Sequence, residues 1–233
     1  FDQCFERIEI APQRTQHVGL RRGAAGVVEQ EVQEIGVLAV HRLDRGTSGL
    51  MVVAKEEYTM THLAKQFFDR TIQRTYHTLV WGEPGPEGEV EGFIGRDLRN
   101  RQKMTVFEEG EHGKYALTRY KLLQSFGYVS LVSCKLATGR THQIRVHMKH
   151  IGHPLFSDDF YGGDKIVKGT VFTKYKQFVE NCFAICPRQA LHAKTLGFIH
   201  PATKKEMLFN SSLPDDMEML IEKWRGYSKT FVK

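Results

Sequence analysis

Apolar residues bunch unevenly along this 233-residue chain, and the bunching predicts most of its elements. Val37 to Val40 and Leu50 to Ala54 are apolar runs of strand length, with a polar, glycine-containing turn between them. Met60, Leu63, Ala64, Phe67 and Phe68 recur at the i, i+3, i+4, i+7, i+8 spacing of an amphipathic helix. Arg74 to Trp81 is rich in β-formers, with Tyr76, Thr78 and Val80 alternating with His77 and Leu79, and predicts a strand. Pro84 to Gly92 reads as a turn-rich connector. Tyr115 to Leu123 and Tyr128 to Leu136 read as two arms of an antiparallel hairpin around Ser125-Phe126-Gly127. Thr141 stands where it could cap a helix carrying Ile144, Met148 and Ile151, which Gly152 and Pro154 would stop. Ala190 to His200 and Lys205 to Phe209 predict a second hairpin. Met217, Leu220, Ile221 and Trp224 line one face of a last helix, opened by Pro214-Asp215-Asp216, where acidic residues suit the helix dipole. Strand pairs mixed with isolated helices predict an α+β fold with a mixed, largely antiparallel central sheet, not a doubly wound one. One domain is expected over residues 37–228, followed by a short tail, 229–233. Residues 1–36 carry no clear pattern, because Gly19, Gly23 and Gly26 interrupt a basic stretch holding Arg21 and Arg22.

Composition narrows the class. Lys and Arg total 33 against 27 Asp and Glu, a formal net charge of +6 and a pI near 9.1. That balance suits a polyanionic partner without proving one. Four cysteines, Cys4, Cys134, Cys182 and Cys186, are too few and too scattered for a disulfide scaffold. Cys182 and Cys186 lie near His192, but no second close pair completes a zinc pattern. His142, His147 and His150 are five and three residues apart, not the i, i+4 pair of a zinc helix, so no metal is expected. No apolar run reaches membrane-spanning length, and Phe1 to Ile10 is charged throughout, unlike a signal peptide. A cytoplasmic protein with no membrane partner is the expectation.

Between the two apolar runs lies His41-Arg42-Leu43-Asp44-Arg45-Gly46-Thr47-Ser48-Gly49. One carboxylate sits between two arginines, which favour its ionised form. An ionised carboxylate can act as nucleophile or general base. Gly46 and Gly49 would let the backbone turn and a substrate approach. The same residues also suit a surface turn with a local ion pair.

Here the residues become recognisable. His41 to Lys55, HRLDRGTSGLMVVAK, resembles the central motif of the RluA/RluD-type family of RNA pseudouridine synthases. Arg74-Thr75-Tyr76 resembles the segment carrying that family's active-site tyrosine. Leu136 to His147, LATGRTHQIRVH, and Gly152-His153-Pro154 through Tyr161-Gly162-Gly163 resemble its C-terminal motif. All stand in family order, from about Val37 to about Tyr227, and the details look nearest to the branch modifying large-subunit (23S) ribosomal RNA. An S4 RNA-binding domain, common in that branch, has no recognisable trace in residues 1–36. The Asn-Lys-Pro-type turn that usually precedes the central motif is also missing there.

The resemblance implies the pseudouridine synthase fold, with an RNA-binding cleft across the sheet. It implies conversion of uridine to pseudouridine without a cofactor. Asp44 is then the catalytic aspartate, attacking C1′ or removing a proton from C2′. Tyr76 stacks on the target base or helps remove the C5 proton; otherwise it is a core aromatic. Arg145 pairs with Asp44, and Arg42 enters the RNA stack where the base leaves, or merely pairs with a loop carboxylate. Arg45, Arg96, Arg99, Arg101, Lys103, Arg140 and His142 are expected to hold RNA, ribosomal or transfer, with the protein acting as a monomer. Two other classes fit less of the pattern. A non-catalytic RNA-binding factor needs no Asp44, and a glycoside or nucleoside hydrolase commonly needs a second carboxylate, which this loop lacks.

Overall fold

A computed structural model describes residues 5–10 and 38–229 of the chain. The expectations for the rest of residues 1–36, for Val37 and for most of the tail lie outside the described residues. The chain divides into two compact units: Phe1–Arg74 with Ala193–Ser212, and Thr75–His192 with Leu213–Lys233. It passes between them at Arg74/Thr75, His192/Ala193 and Ser212/Leu213.

The first unit is built on β3 (Ser48–Ala54), every residue of which is buried. Two strands, β1 (Phe5–Ile10) and β2 (Leu38–Ala39), pair with it antiparallel. The hairpin β9 (Leu191–Ile199) and β10 (Glu206–Asn210) forms where the apolar pattern predicts, with β9 beside β3. Helix α1 (Glu57–Phe68) lays Leu63 onto Leu50, Val52, Ile72, Leu196 and Phe198. Phe68, at the helix end, breaks from the expected apolar face and is 86% exposed. Gln66 ties α1 to β9 from both ends of its amide: Ile199 N–H donates to Oε1 and Nε2 donates to the Ile199 carbonyl.

The second unit holds the strands β4 (Gln73–Trp81, from Thr75 on), β5 (Glu87–Arg96), β6 (Met104–Phe107), β7 (Lys114–Ser125) and β8 (Val129–Leu136) in the order β4-β8-β7-β5-β6. Its ladders are antiparallel. The expected connector Pro84 to Gly92 is instead mostly strand from Glu87 onward. Its glutamates mislead as turn residues, yet Glu87 and Glu89 stand opposite Lys121 and Arg119 of β7. Opposite charges across a ladder support a strand that burial alone would not. Helix α2 (Gln143–His150) packs on β5, β6 and β7. Thr141 does not cap it: the cap position is His142, in the left-handed region at φ 55, with no side-chain cap hydrogen bond.

Two more helices cover the other apolar surface of this unit. In α3 (Thr173–Ile185), an element the sequence pattern did not reveal, Tyr175, Val179 and Cys182 fall on one face at helical spacing. They meet Met217, Leu220, Ile221 and Trp224 of α4 (Asp215–Ser228) around Trp81 and Phe156. Trp81 and Trp224 pack edge to face at 6.1 Å, and the Trp81 indole donates to the Gly163 carbonyl at 2.9 Å. Arg188 grips Asp216 through two hydrogen bonds of 2.8 and 2.9 Å and joins the start of α4 to the chain leaving α3. Burial pushes the thiols of Cys134, Cys182 and Cys186 up to about 12, so they stay protonated core groups. No described helix is long and apolar enough to cross a membrane.

Candidate active site

In the first unit, Asp44 occupies the loop that delivers the chain into β3 and is half-buried. Its carbonyl accepts the Thr47 N–H at 2.9 Å, and Gly46 takes φ 80. A positive φ at the third position is what a type II turn demands, which explains this glycine. Gly49, at φ 112, has a further packing reason. The backbone of Ala193 lies against it, and a Cβ at that position would stand only 2.3 Å from the Ala193 carbonyl oxygen. Arg42 and Arg45 flank Asp44 and are exposed.

His41 fixes the root of this loop, a role sequence reading missed. Its Nε2 accepts the Val52 N–H at 3.2 Å, and its ring stacks on Phe67 at 4.7 Å. The Arg74 guanidinium lies 5.4 Å from the same Phe67 ring. Burial, helped by the charge of Arg74, lowers the imidazole pKa to about 4. A neutral ring suits its task, since an imidazolium could not accept from Val52.

In the second unit, Tyr76 is buried on β4 opposite Cys134 of β8. Arg145 is also buried, not the solvated residue that its place on a short polar helix suggests. Its Nε and Nη2 donate to Asp158 at 2.7 and 2.8 Å, a two-pronged ion pair between buried groups. Asp158 Oδ1 further accepts the N–H groups of Phe160 and Tyr161, each at 3.1 Å. The carboxylate is thus a fixed acceptor, and its work is to orient the guanidinium. That fork uses one edge of Arg145; Nη1 belongs to the other. Asp158 lies thirteen residues from Arg145 beside a second aspartate, so no local spacing marks it out.

Gln143 holds the segment before Arg145 in shape. Its carbonyl accepts from Thr138 Oγ1 at 2.7 Å and from the Arg140 N–H at 2.9 Å. Its amide donates to the Leu117 carbonyl and to Thr118 Oγ1, both at 3.0 Å. The same Thr118 hydroxyl meets His147 Nδ1 at 3.0 Å. The other ring nitrogen, His147 Nε2, is buried without a hydrogen-bond partner. Burial, with the charge of His150 second, lowers this imidazole to about 4.

These two histidines make the fold acid-sensitive. Each is neutral when folded down to about pH 4, whereas an unfolded histidine protonates near 6.5. Above 6.5 neither state gains a proton and stability is level. Below it the unfolded chain takes up protons that the folded chain refuses, so stability falls as pH drops, by up to about 1.4 kcal/mol per unit per histidine. We expect the urea midpoint to be lower at pH 5 than at pH 7, and His147→Gln to flatten that slope. A midpoint equal at both values would contradict the assignment.

The remaining basic residues divide by role. Arg99 and Arg101 are exposed in the turn joining β5 to β6, and Arg96 is exposed at the end of β5. Asp97 shapes that turn by accepting the N–H groups of Arg99 and Asn100 at 2.8 and 2.9 Å, contacts that hold its carboxyl below the usual range. Lys103 lies 5.3 Å from the Phe160 ring centre, and Arg145 and Lys149 lie 5.0 and 5.7 Å from that of Tyr161. The Tyr161 hydroxyl accepts the Met104 N–H and meets His142 Nδ1 at 2.7 Å. Lys103 and Met104, which follow the basic turn, are thereby tied to Phe160 and Tyr161 beside Arg145. Arg140 is partly spent on structure, donating from Nε to the Tyr115 carbonyl at 3.0 Å.

The fold is that of a pseudouridylate synthase domain. It is similar to the solved human RNA pseudouridylate synthase domain containing 4, with a TM-score of 0.73 and 22% identity, covering 97% of this chain and 91% of that one. The family model for RNA pseudouridylate synthase matches residues 16–150, a span that includes Asp44, Tyr76 and Arg145, and the chain belongs to that family. It is 44% identical to an RNA pseudouridine synthase of Chlorobaculum parvum, over 80% of this chain and 57% of that protein. It is 43% identical to the ribosomal large subunit pseudouridine synthase D of Zymomonas mobilis, over 78% of this chain and 55% of that one. The chain spans about half the length of the curated relatives it matches.

Proposed function

We propose that the protein isomerises specific uridines to pseudouridine in RNA, in the large ribosomal subunit by preference, with Asp44 as the catalytic carboxylate and residues 37–228 carrying the chemistry. The observation that carries this reading is family membership over a span containing the Asp44 loop. The name of the Zymomonas mobilis relative points to the large subunit, and transfer RNA is the other candidate substrate. The protein is expected to work as a cytoplasmic monomer.

The reaction breaks the bond from N1 to C1′ and makes one from C5 to C1′. C5 loses its proton and N1 gains one, so product and substrate have the same composition and no oxidant or cofactor is consumed. Asp44 can open the sequence at C1′ as nucleophile or at C2′ as base. Arg145 is its proposed cationic partner, with Asp158 fixing the plane of the guanidinium. Tyr76 is assigned to the target base, as a stacking surface or as the group that helps remove the C5 proton. Arg45, Arg96, Arg99, Arg101, Lys103, Arg140 and His142 are assigned to the RNA backbone. Contacts to phosphate would make binding weaken steeply with salt.

A uridine inside a helix must leave the stack before any of this can happen, at a cost of a few kcal/mol. Arg42 is assigned to the vacated position, and its exposed side chain supports that role. Arg42→Ala should lower the single-turnover rate by about 10- to 100-fold while changing RNA affinity far less. Equal single-turnover rates would refute the role. The function itself is tested by mapping pseudouridines in ribosomal and transfer RNA from cells with and without the protein. Loss at discrete positions is expected; identical maps would overturn the proposal.

A further inference from the structure

We propose that the loop from Lys165 to Lys174 is a second RNA contact, in which the Phe172 ring stacks on an unpaired base while Lys165, Lys168 and Lys174 meet the neighbouring phosphates. This rests on the reading of the protein as an RNA-modifying enzyme.

Val171 and Phe172 are 98% and 72% exposed, side by side. Single exposed apolar residues are ordinary and ask for no explanation. Three features set this pair apart. First, the loop beneath it is held to the body of its unit. The Tyr175 hydroxyl donates to the Lys168 carbonyl at 2.5 Å, and the Tyr175 ring lies so close to Gly169 that a Cβ there would stand 2.2 Å away. The Lys168 stem also lies against Gly82. Second, the Phe172 carbonyl accepts the N–H groups of Tyr175 and Lys176 at 3.0 and 3.1 Å. Phe172 is thereby the cap residue of α3, and its backbone is fixed while its ring stays in solvent. Third, the loop is cationic. Residues 164–174 hold Lys165, Lys168 and Lys174, all exposed, against the single acid Asp164. Lys176 does not add to them, since it pairs with Glu180 at 3.8 Å.

An aromatic ring presented on a fixed basic loop is the physical requirement for binding single-stranded nucleic acid. Stacking accepts any base, and each stacked base contributes about 1–3 kcal/mol. A membrane surface would also accept lysines with apolar residues, but interfacial binding of that kind relies on a long apolar helical face. Two residues on a turn do not supply one.

The test is binding of a fluorescent single-stranded oligouridylate to the whole chain, followed by anisotropy. Phe172→Ala should weaken binding by about 5- to 100-fold, and Phe172→Trp should retain it. Lys174→Ala should lower the steepness of the salt dependence by about 0.7 in the logarithmic slope. Thermal stability should be unchanged in all three, because the replaced side chains are exposed. Wild-type affinity in Phe172→Ala would overturn the proposal. So would Phe172-dependent binding to phosphatidylglycerol vesicles with RNA affinity unmoved. The two readings fail separately. A wild-type protein that forms no pseudouridine defeats the proposed function, whereas an active protein indifferent to Phe172 defeats only the loop.

Discussion

Asp44→Asn is expected to abolish pseudouridine formation, lowering the rate at least about a thousandfold, while the protein folds and binds RNA much as before. The amide matches the carboxylate in size but is neither a nucleophile toward C1′ nor a base toward C2′. The turn does not depend on the acid, since its hydrogen bond runs from the Thr47 N–H to the backbone carbonyl of residue 44. The side chain is half-buried in a loop, so the change in stability should stay within about 1 kcal/mol. Affinity for RNA should hold or rise slightly, because a negative charge facing phosphates is lost. The measurement is pseudouridine yield under single-turnover conditions, with anisotropy and thermal melting alongside. Substantial turnover by the variant would remove the mechanism, and a misfolded variant would show itself in the melt.

Asp158→Ala should have the largest effect on stability, a loss of about 3–5 kcal/mol. The cost is not the attraction itself. It is the buried guanidinium of Arg145 stripped of its fork, together with the N–H groups of Phe160 and Tyr161, which lose their acceptor. Against a typical total of about 5–15 kcal/mol, that threatens the folded state. Asp158→Asn keeps an acceptor oxygen and should lose less. Both tryptophans, Trp81 and Trp224, belong to the second unit, so their fluorescence during urea unfolding reports the part of the chain that holds Asp158. A loss below about 1 kcal/mol in Asp158→Ala would mean that Arg145 is satisfied without it. Where Asp158→Asn still folds, its activity separates orientation from stability: reduced turnover in a folded protein marks Asp158 as a positioning residue.

How legible these features were depended on the range over which each residue acts. The strand Ser48–Ala54 and the helix Asp215–Ser228 declared themselves because their apolar periodicity is local. The strand Glu87–Arg96 did not, because its support comes from Arg119 and Lys121 more than twenty residues away. Helix Thr173–Ile185 was hidden because its buried face is thin and holds a tyrosine and a cysteine. Asp44 and Arg145 could be named from motifs that resemble a family, whereas Asp158, Gln143 and His41 could not be given roles. Each of those three acts through partners that only folding brings near. Gly49 could be read locally as a turn glycine, but the backbone of Ala193 that lies against it could not.

The turn pinned by Asp97 has a consequence for kinetics. A floppy basic segment must be ordered by each RNA it meets, and that entropy is subtracted from affinity on every encounter. Here the ordering is done once, during folding, by a carboxylate that closes the turn from within. The RNA contact proposed for this edge should then form as a collision between preformed bodies, its speed set by charge and ionic strength and little by temperature-dependent rearrangement.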